Sequence, residues 1–244
     1  MKTKFLFYQL LDYESNTYTY LLADGEKGEA VLIDPVKEQV DRDLKLIEEL
    51  GLKLKYALDT HVHADHITAA GTLRERTQCK TAVGEGANVE CADHTIREND
   101  SFCFGDFTLK AISTPGHTDT CMSFYLPAGA HNPSMVFTGD CLLIRGCGRT
   151  DFQQGSAEKM YYSIKEKLYR LSDETLVYPG HDYQGRTHST IYEEKRFNPR
   201  IHEKTTLGEF QEIMASLKLA PPKKIQIALP ANLVCGSTAH VALA

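Results

Sequence analysis

Within seven positions the sequence places Thr60-His61-Val62-His63-Ala64-Asp65-His66, three imidazoles and a carboxylate, directly after the apolar run Leu54–Leu58. Imidazole and carboxylate are the common protein ligands for zinc and non-haem iron. On an extended segment His61 and His63 would face opposite sides, so the chain must turn here if both are to reach one ion. His66, close to a helix start, would join them from the far side of that turn. Three more candidates end strand-like runs: His117 in Ser-Thr-Pro-Gly-His-Thr, Asp140 in Phe-Thr-Gly-Asp-Cys and His181 in Tyr-Pro-Gly-His-Asp. A glycine precedes each of the three, and glycine permits the tight turn and close backbone approach that a loop around an ion needs.

These residues do not by themselves choose a metal. Taken together, His61, His63, Asp65, His66, His117 and His181 with a bridging Asp140 would hold two zinc ions and activate a water for hydrolysis. The subset His61, His117 and Asp140 would instead form a facial triad, which leaves three positions of an octahedral Fe(II) open.

Such a cluster gathers at strand ends, so strands must position it. Phe5–Leu11, Tyr18–Ala23 and Ala30–Ile33 are short aromatic and aliphatic runs separated by turns such as Asp24-Gly25, which predicts three strands. Val40, Leu44, Ile47 and Leu50 recur at helical spacing, with Gly51 placed to end the helix. Leu54–Leu58 reads as a buried strand, Ile67–Thr77 as a helix and Thr81–Gly84 as a strand. Further strands are expected at Ser101–Phe104, Phe107–Ile112, Cys121–Leu126, Met135–Thr138 and Thr175–Tyr178. Ala157–Leu171 reads as one helix, and Leu207, Phe210, Ile213, Met214 and Leu217 mark another apolar stripe. The expected layout is a single αβ domain over 1–244, with a core of about 1–184 and a helical extension over 185–244.

Composition narrows the function classes. The 244 residues carry 27 Lys+Arg against 33 Asp+Glu, a net charge of −6, which argues against a nucleic-acid binder with its basic stripe. No apolar run approaches the ~20 residues that span a bilayer, so no membrane partner is expected. The N-terminus lacks a signal-peptide cleavage site, and the expected location is the cytoplasm. Seven cysteines, none spaced as C-x-x-C, point to reduced and mostly buried thiols, with packing roles for Cys141 and Cys147.

The order T-H-x-H-x-D-H, then G-H-T, G-D and G-H resembles the metallo-β-lactamase superfamily. That implies an α/β (α+β) fold, a four-layer αββα sandwich with the metal site along one edge. The stretch Thr138–Gly155, with Arg-Gly-Cys-Gly-Arg-Thr-Asp-Phe-Gln-Gln-Gly, is similar to the persulfide dioxygenases of the ethylmalonic-encephalopathy protein family. So are Tyr178–Tyr183, Asn198-Pro-Arg200 and Pro230–Gly236. The resemblance implies one Fe(II) per chain on His61, His117 and Asp140, with His63, Asp65, His66 and His181 as hydrogen-bonding supports around it.

The implied reaction oxidises glutathione persulfide with O2 and water to sulfite and glutathione. Glutathione has two carboxylates, so its pocket needs a guanidinium to pair with them and neutral donors beside it. Arg145, Arg149 and Arg200 are the candidate guanidiniums, and Tyr183, Asn232 and Cys235 the neutral residues. Arg149 is also placed to form an ion pair with Asp151, and Cys235 to be modified by persulfide. The family points to a homodimer. The rival reading is a two-zinc thioester hydrolase resembling glyoxalase II, which shares the ligand motif and acts without O2.

Overall fold

The computed structural model describes residues 4–220 and 224–237; the last part of the expected extension, 238–244, lies outside the described residues. Among the described residues twelve strands and six α-helices run β1 (Phe5–Asp12), β2 (Thr17–Asp24), β3 (Glu29–Ile33), α1 (Val40–Glu49), β4 (Lys53–Leu58), α2 (Ala70–Thr77) and β5 (Lys80–Gly84). Then follow β6 (His94–Ile96), β7 (Ser101–Phe104), β8 (Phe107–Ser113), β9 (Met122–Leu126), β10 (Met135–Gly139), α3 (Ala157–Tyr162) and β11 (Leu176–Pro179). The chain closes with β12 (Ser189–Thr190), α4 (Ile191–Phe197), α5 (Leu207–Ser216) and α6 (Ile225–Asn232). Among the described residues no helix is long and apolar enough to cross a membrane.

The strands form two six-stranded sheets, in the orders β1-β2-β3-β4-β5-β6 and β12-β11-β10-β9-β8-β7. Pairing is parallel from β3 through β6 and between β10 and β11, and antiparallel elsewhere. Period-2 alternation explains the layering. In β2, Tyr18, Tyr20 and Leu22 point between the sheets, where they meet Phe124 and Phe137 of the second sheet. Leu21 of the same strand, with Ala23, points outward under Ile47 of α1 and Leu73 of α2. The outer face of the second sheet, Val136 and Val177, is covered by Met160 of α3, Ile191 of α4 and Phe210 and Met214 of α5. α4 and α5 therefore share a core with the second sheet, whereas Ala228 and Ala231 of α6 pack against Ile67, and the result is the four-layer αββα sandwich.

Two expectations change. The helix expected over 157–171 is α only to Tyr162, continues as a π turn over Ser163–Lys167 and ends in a 3-10 turn. Its side chains are tied to both flanks: Ser163 Oγ donates to Pro115 O (2.7 Å) and Lys167 Nζ to Ser113 O (2.7 Å), while Lys165 Nζ donates to Glu203 O (2.6 Å). Those anchors outweigh the modest preference for regular α geometry. The second change is covalent. Cys91 and Cys235 form a disulfide, so the expectation that all seven thiols are reduced is corrected. Residues 144 positions apart become neighbours through the fold of loop β5–β6 against α6, a proximity no local spacing encodes.

Candidate metal centre

The candidate metal ligands follow strand ends at one edge of the sandwich. β4 delivers Asp59-Thr60-His61, β8 leads to His117, β10 to Asp140 and β11 to His181. Gly139 adopts φ +49°, and a Cβ there would lie 2.5 Å from Thr60 Oγ1, so only glycine brings β10 this close to the His61 turn. At Gly116 (φ +148°) a Cβ would lie 2.4 Å from Met160 Cα, which lets α3 press onto the His117 loop.

Ligand atoms of His61, His117 and Asp140 converge, all within 4.8 Å of one another. His117 Nε2 and Asp140 Oδ2 are 3.7 Å apart. Two atoms bonded to one ion at about 2.1 Å stand at most ~4.2 Å apart, so the pair fits a shared metal. The rings of His61 and His117 are perpendicular.

Partners behind the rings determine which nitrogen faces inward. His117 Nδ1 lies 2.8 Å from Arg149 O. A carbonyl only accepts, so Nδ1 carries a proton and Nε2 is the nitrogen left to face a metal. His61 Nδ1 donates to Thr60 Oγ1 (2.9 Å), whose own proton goes to Asp34 Oδ2 (2.9 Å). Burial, with the neighbouring rings of His63 and His117, pushes the His61 imidazole well below its ordinary pKa. Burial alone would raise the Asp140 carboxyl, but His181, His117 and His61 override it and hold the group well below the usual carboxylate range. Neutral imidazoles and an ionised carboxylate are the donor set a divalent metal takes, and these residues fit one.

The remaining candidates bind one another. His63 turns its Nε2 to Asp34 Oδ1 (3.1 Å), and although burial opposes the charge, Asp34 brings its pKa up to about 9. His181 lies between two carboxylates, with Nδ1 2.7 Å from Asp140 Oδ1 and Nε2 3.0 Å from Asp65 Oδ2. Burial disfavours its charge, yet the two carboxylates raise its pKa well above the ordinary value, so it is an imidazolium that donates from both nitrogens. His66 Nδ1 is 2.9 Å from Asp65 Oδ2. Thr17 Oγ1 reaches all three members of this cluster, at 3.1 Å from Asp65, 3.2 Å from His66 and 3.0 Å from His181.

The substrate candidates scatter in role. Arg145 is held by the carboxylates of Glu193 (2.7 Å) and the buried Glu194, which docks α4 on the loop after Asp140. Arg149 forms a two-point ion pair with Asp151 (2.7 and 2.8 Å) and donates to Ala220 O (2.7 Å). Arg200 is half-buried and donates to Cys147 O (2.5 Å). Tyr183 is 70% exposed, and its ring stacks near-parallel on His181. Asn232, expected among the neutral pocket residues, holds backbone: Nδ2 donates to His63 O (2.8 Å) and His66 O (2.9 Å), and Oδ1 accepts from Thr68 N (2.9 Å). Cys235, expected as a neutral pocket thiol, is spent in the bridge to Cys91. Three residues escaped the sequence reading: Thr17, Asp34 and Thr60. Asp34 and Thr60 each stand at the end of a strand-like run, a usable signal, whereas Thr17 carries none.

A family model for the metallo-beta-lactamase superfamily matches residues 12–181. Persulfide dioxygenase ETHE1, mitochondrial, of Mus musculus is 50% identical over 229 residues, spanning 93% of this chain and 87% of that protein. The crystal structure of ETHE1 from Myxococcus xanthus superposes with a TM-score of 0.90 at 52% identity, over 95% of this chain and 100% of that one. A more distant structure, TTHA1623 in a di-iron-bound form, reaches a TM-score of 0.64 at 27% identity, over 79% of this chain and 98% of its own. The chain belongs to the metallo-beta-lactamase superfamily and, within it, to the persulfide dioxygenases.

Proposed function

We propose that this protein oxidises glutathione persulfide at a single Fe(II), in the reaction GSSH + O2 + H2O → GSH + SO3 2− + 2 H+. The observation that carries this reading is half identity with a persulfide dioxygenase over almost the whole chain, together with a convergent pair of imidazoles and a carboxylate. His61, His117 and Asp140 would hold the iron, which when bound supplies the redox chemistry that O2 and a closed-shell sulfur anion need, with coordination positions left open.

The chain's own residues do the rest. Arg149 O and Thr60 Oγ1 keep the ligand nitrogens of His117 and His61 aimed inward. His181 Nδ1 donates a hydrogen bond to Asp140 Oδ1, which leaves Oδ2 for the metal side. His117 and Asp140 are each slightly exposed whereas His61 is buried, so substrate approaches from the side of the first two. Tyr183 and Arg200 are the residues for the glutathionyl part: an exposed phenol beside His181, and a guanidinium on the loop carrying Cys147. Arg145 and Arg149, whose charges carboxylates already neutralise, shape the loops around that pocket.

The test is O2 uptake when glutathione persulfide is added to protein loaded with Fe(II) to a measured content. Rapid uptake with sulfite accumulating is expected. No uptake from protein holding about one iron per chain would overturn the reading and favour thioester hydrolysis.

A further inference from the structure

A hydroxyl offers one proton and two lone pairs, so one group can serve a carboxylate and two ring N–H donors at once. Thr17 Oγ1 is placed to do this, within 3.2 Å of Asp65, His66 and His181, and the residue is wholly buried. Its position is fixed from three directions. Thr17 opens β2 opposite Asp12, forms a backbone bridge with His181, and has Ser15 Oγ 2.8 Å from its hydroxyl.

Among the described residues the convergent donor sets are His61–His117–Asp140, His63–Asp65–His66 and Asp34–Asp59–His63. Asp65, His66 and His181 are not such a set, although one hydroxyl touches all three. Thr17 lies between the two imidazoles and engages His181 at Nε2, the nitrogen turned away from Asp140, while it meets His66 at Nδ1 and leaves the buried His66 Nε2 without a partner. It also engages two of the three members of the set His63–Asp65–His66. The fold itself does not forbid a second ion, since TTHA1623 carries two irons on the same frame.

We propose that Thr17 determines how many metal ions this centre holds: its hydroxyl ties Asp65 Oδ2 to His181 Nε2 and so keeps these two atoms from closing with His66 Nε2 on a second ion beside the first. The inference rests on the one-ion reading of His61, His117 and Asp140. Thr17 is a positioning residue, because it acts through the three side chains it holds. A second ion would have to break the hydrogen bonds of Thr17 to Asp65 Oδ2 and His181 Nε2, at about a factor of five each, so removing the hydroxyl should tighten second-ion binding by roughly twenty-fivefold.

The experiment is metal content per chain, by elemental analysis after loading with excess zinc(II) and desalting, for the wild type, Thr17→Ala and Thr17→Ser. The wild type and Thr17→Ser, which keeps the hydroxyl, should retain one ion, and Thr17→Ala should approach two. Thr17→Ala holding one ion, with the wild type also at one, would overturn the role of Thr17 and leave the one-ion reading intact. A wild type holding two would overturn the one-ion reading instead. Should Thr17→Ala fail to fold, Thr17→Val, which keeps the side-chain shape and removes the hydroxyl, gives the answer: about two ions per chain supports the role of Thr17, and one ion, with the wild type also at one, overturns it.

Discussion

Two groups of the same residue types lie side by side at the sandwich edge. His61, His117 and Asp140 have their outer atoms satisfied by uncharged groups or a single partner: a carbonyl behind His117, a threonine behind His61 and one imidazolium beside Asp140. Asp65, His66 and His181 have theirs satisfied by one another and by Thr17. The first group keeps its ligand atoms facing inward, whereas in the second Asp65 Oδ2 and His181 Nε2 are engaged and His66 Nε2 is left without a partner. Residue identity therefore does not decide which histidine is a ligand; the partner on the far side of the ring does.

The largest effect should separate the two groups. His61→Ala or Asp140→Ala should cost well over the ~100-fold in metal affinity that an outer partner is worth. His181→Ala, by contrast, should stay within about tenfold, because it removes a hydrogen bond to Asp140 Oδ1 and no ligand. Competition with a calibrated chelator measures both. Equal losses would erase the distinction and place His181 among the ligands.

Thr60→Val should fall between these extremes. It removes the acceptor for His61 Nδ1 and the link onward to Asp34, while leaving the ligand itself in place. A loss of roughly tenfold to a hundredfold in metal affinity is expected. An unchanged affinity would mean that packing alone orients the ring.

Much of this was legible before the fold was known, because periodicity and strand-end motifs report on local chemistry. The alternation in β2, the helical spacing in α1 and the glycines before His117 and Asp140 all state a local requirement. The triad and the cluster beside it could not be told apart that way, since His63 and His61 differ only in which remote group each meets, Asp34 or Thr60. Asn232 and Cys235 were marked by resemblance to a substrate pocket. Their actual work, holding the backbone of residues 63–68 and fastening to Cys91, depends on contacts more than 140 positions apart. The short strands β6 and β12, three and two residues long, carry too little pattern to announce themselves.

The smallest effect on the metal should come from the disulfide. The bridge from Cys91 to Cys235 closes a loop of 144 positions, and the chain-entropy argument gives about 5 kcal/mol for such a length, with about 2–4 kcal/mol typical in practice. Cys91→Ser should therefore lower unfolding free energy by roughly 2–4 kcal/mol. Metal affinity should change only a few-fold, because the atoms that aim His61 and His117 belong to Thr60 and Arg149 rather than to α6. Wild type in reductant should melt with the variant, and a wild type indifferent to reductant would mean the bridge contributes no stability. If Cys91→Ser instead loses metal as severely as Thr60→Val, the backbone of 63–68 and the triad move as one unit. The hydrogen bonds from Asn232 to His63 and His66 would then govern the ligands on the far side of the same turn.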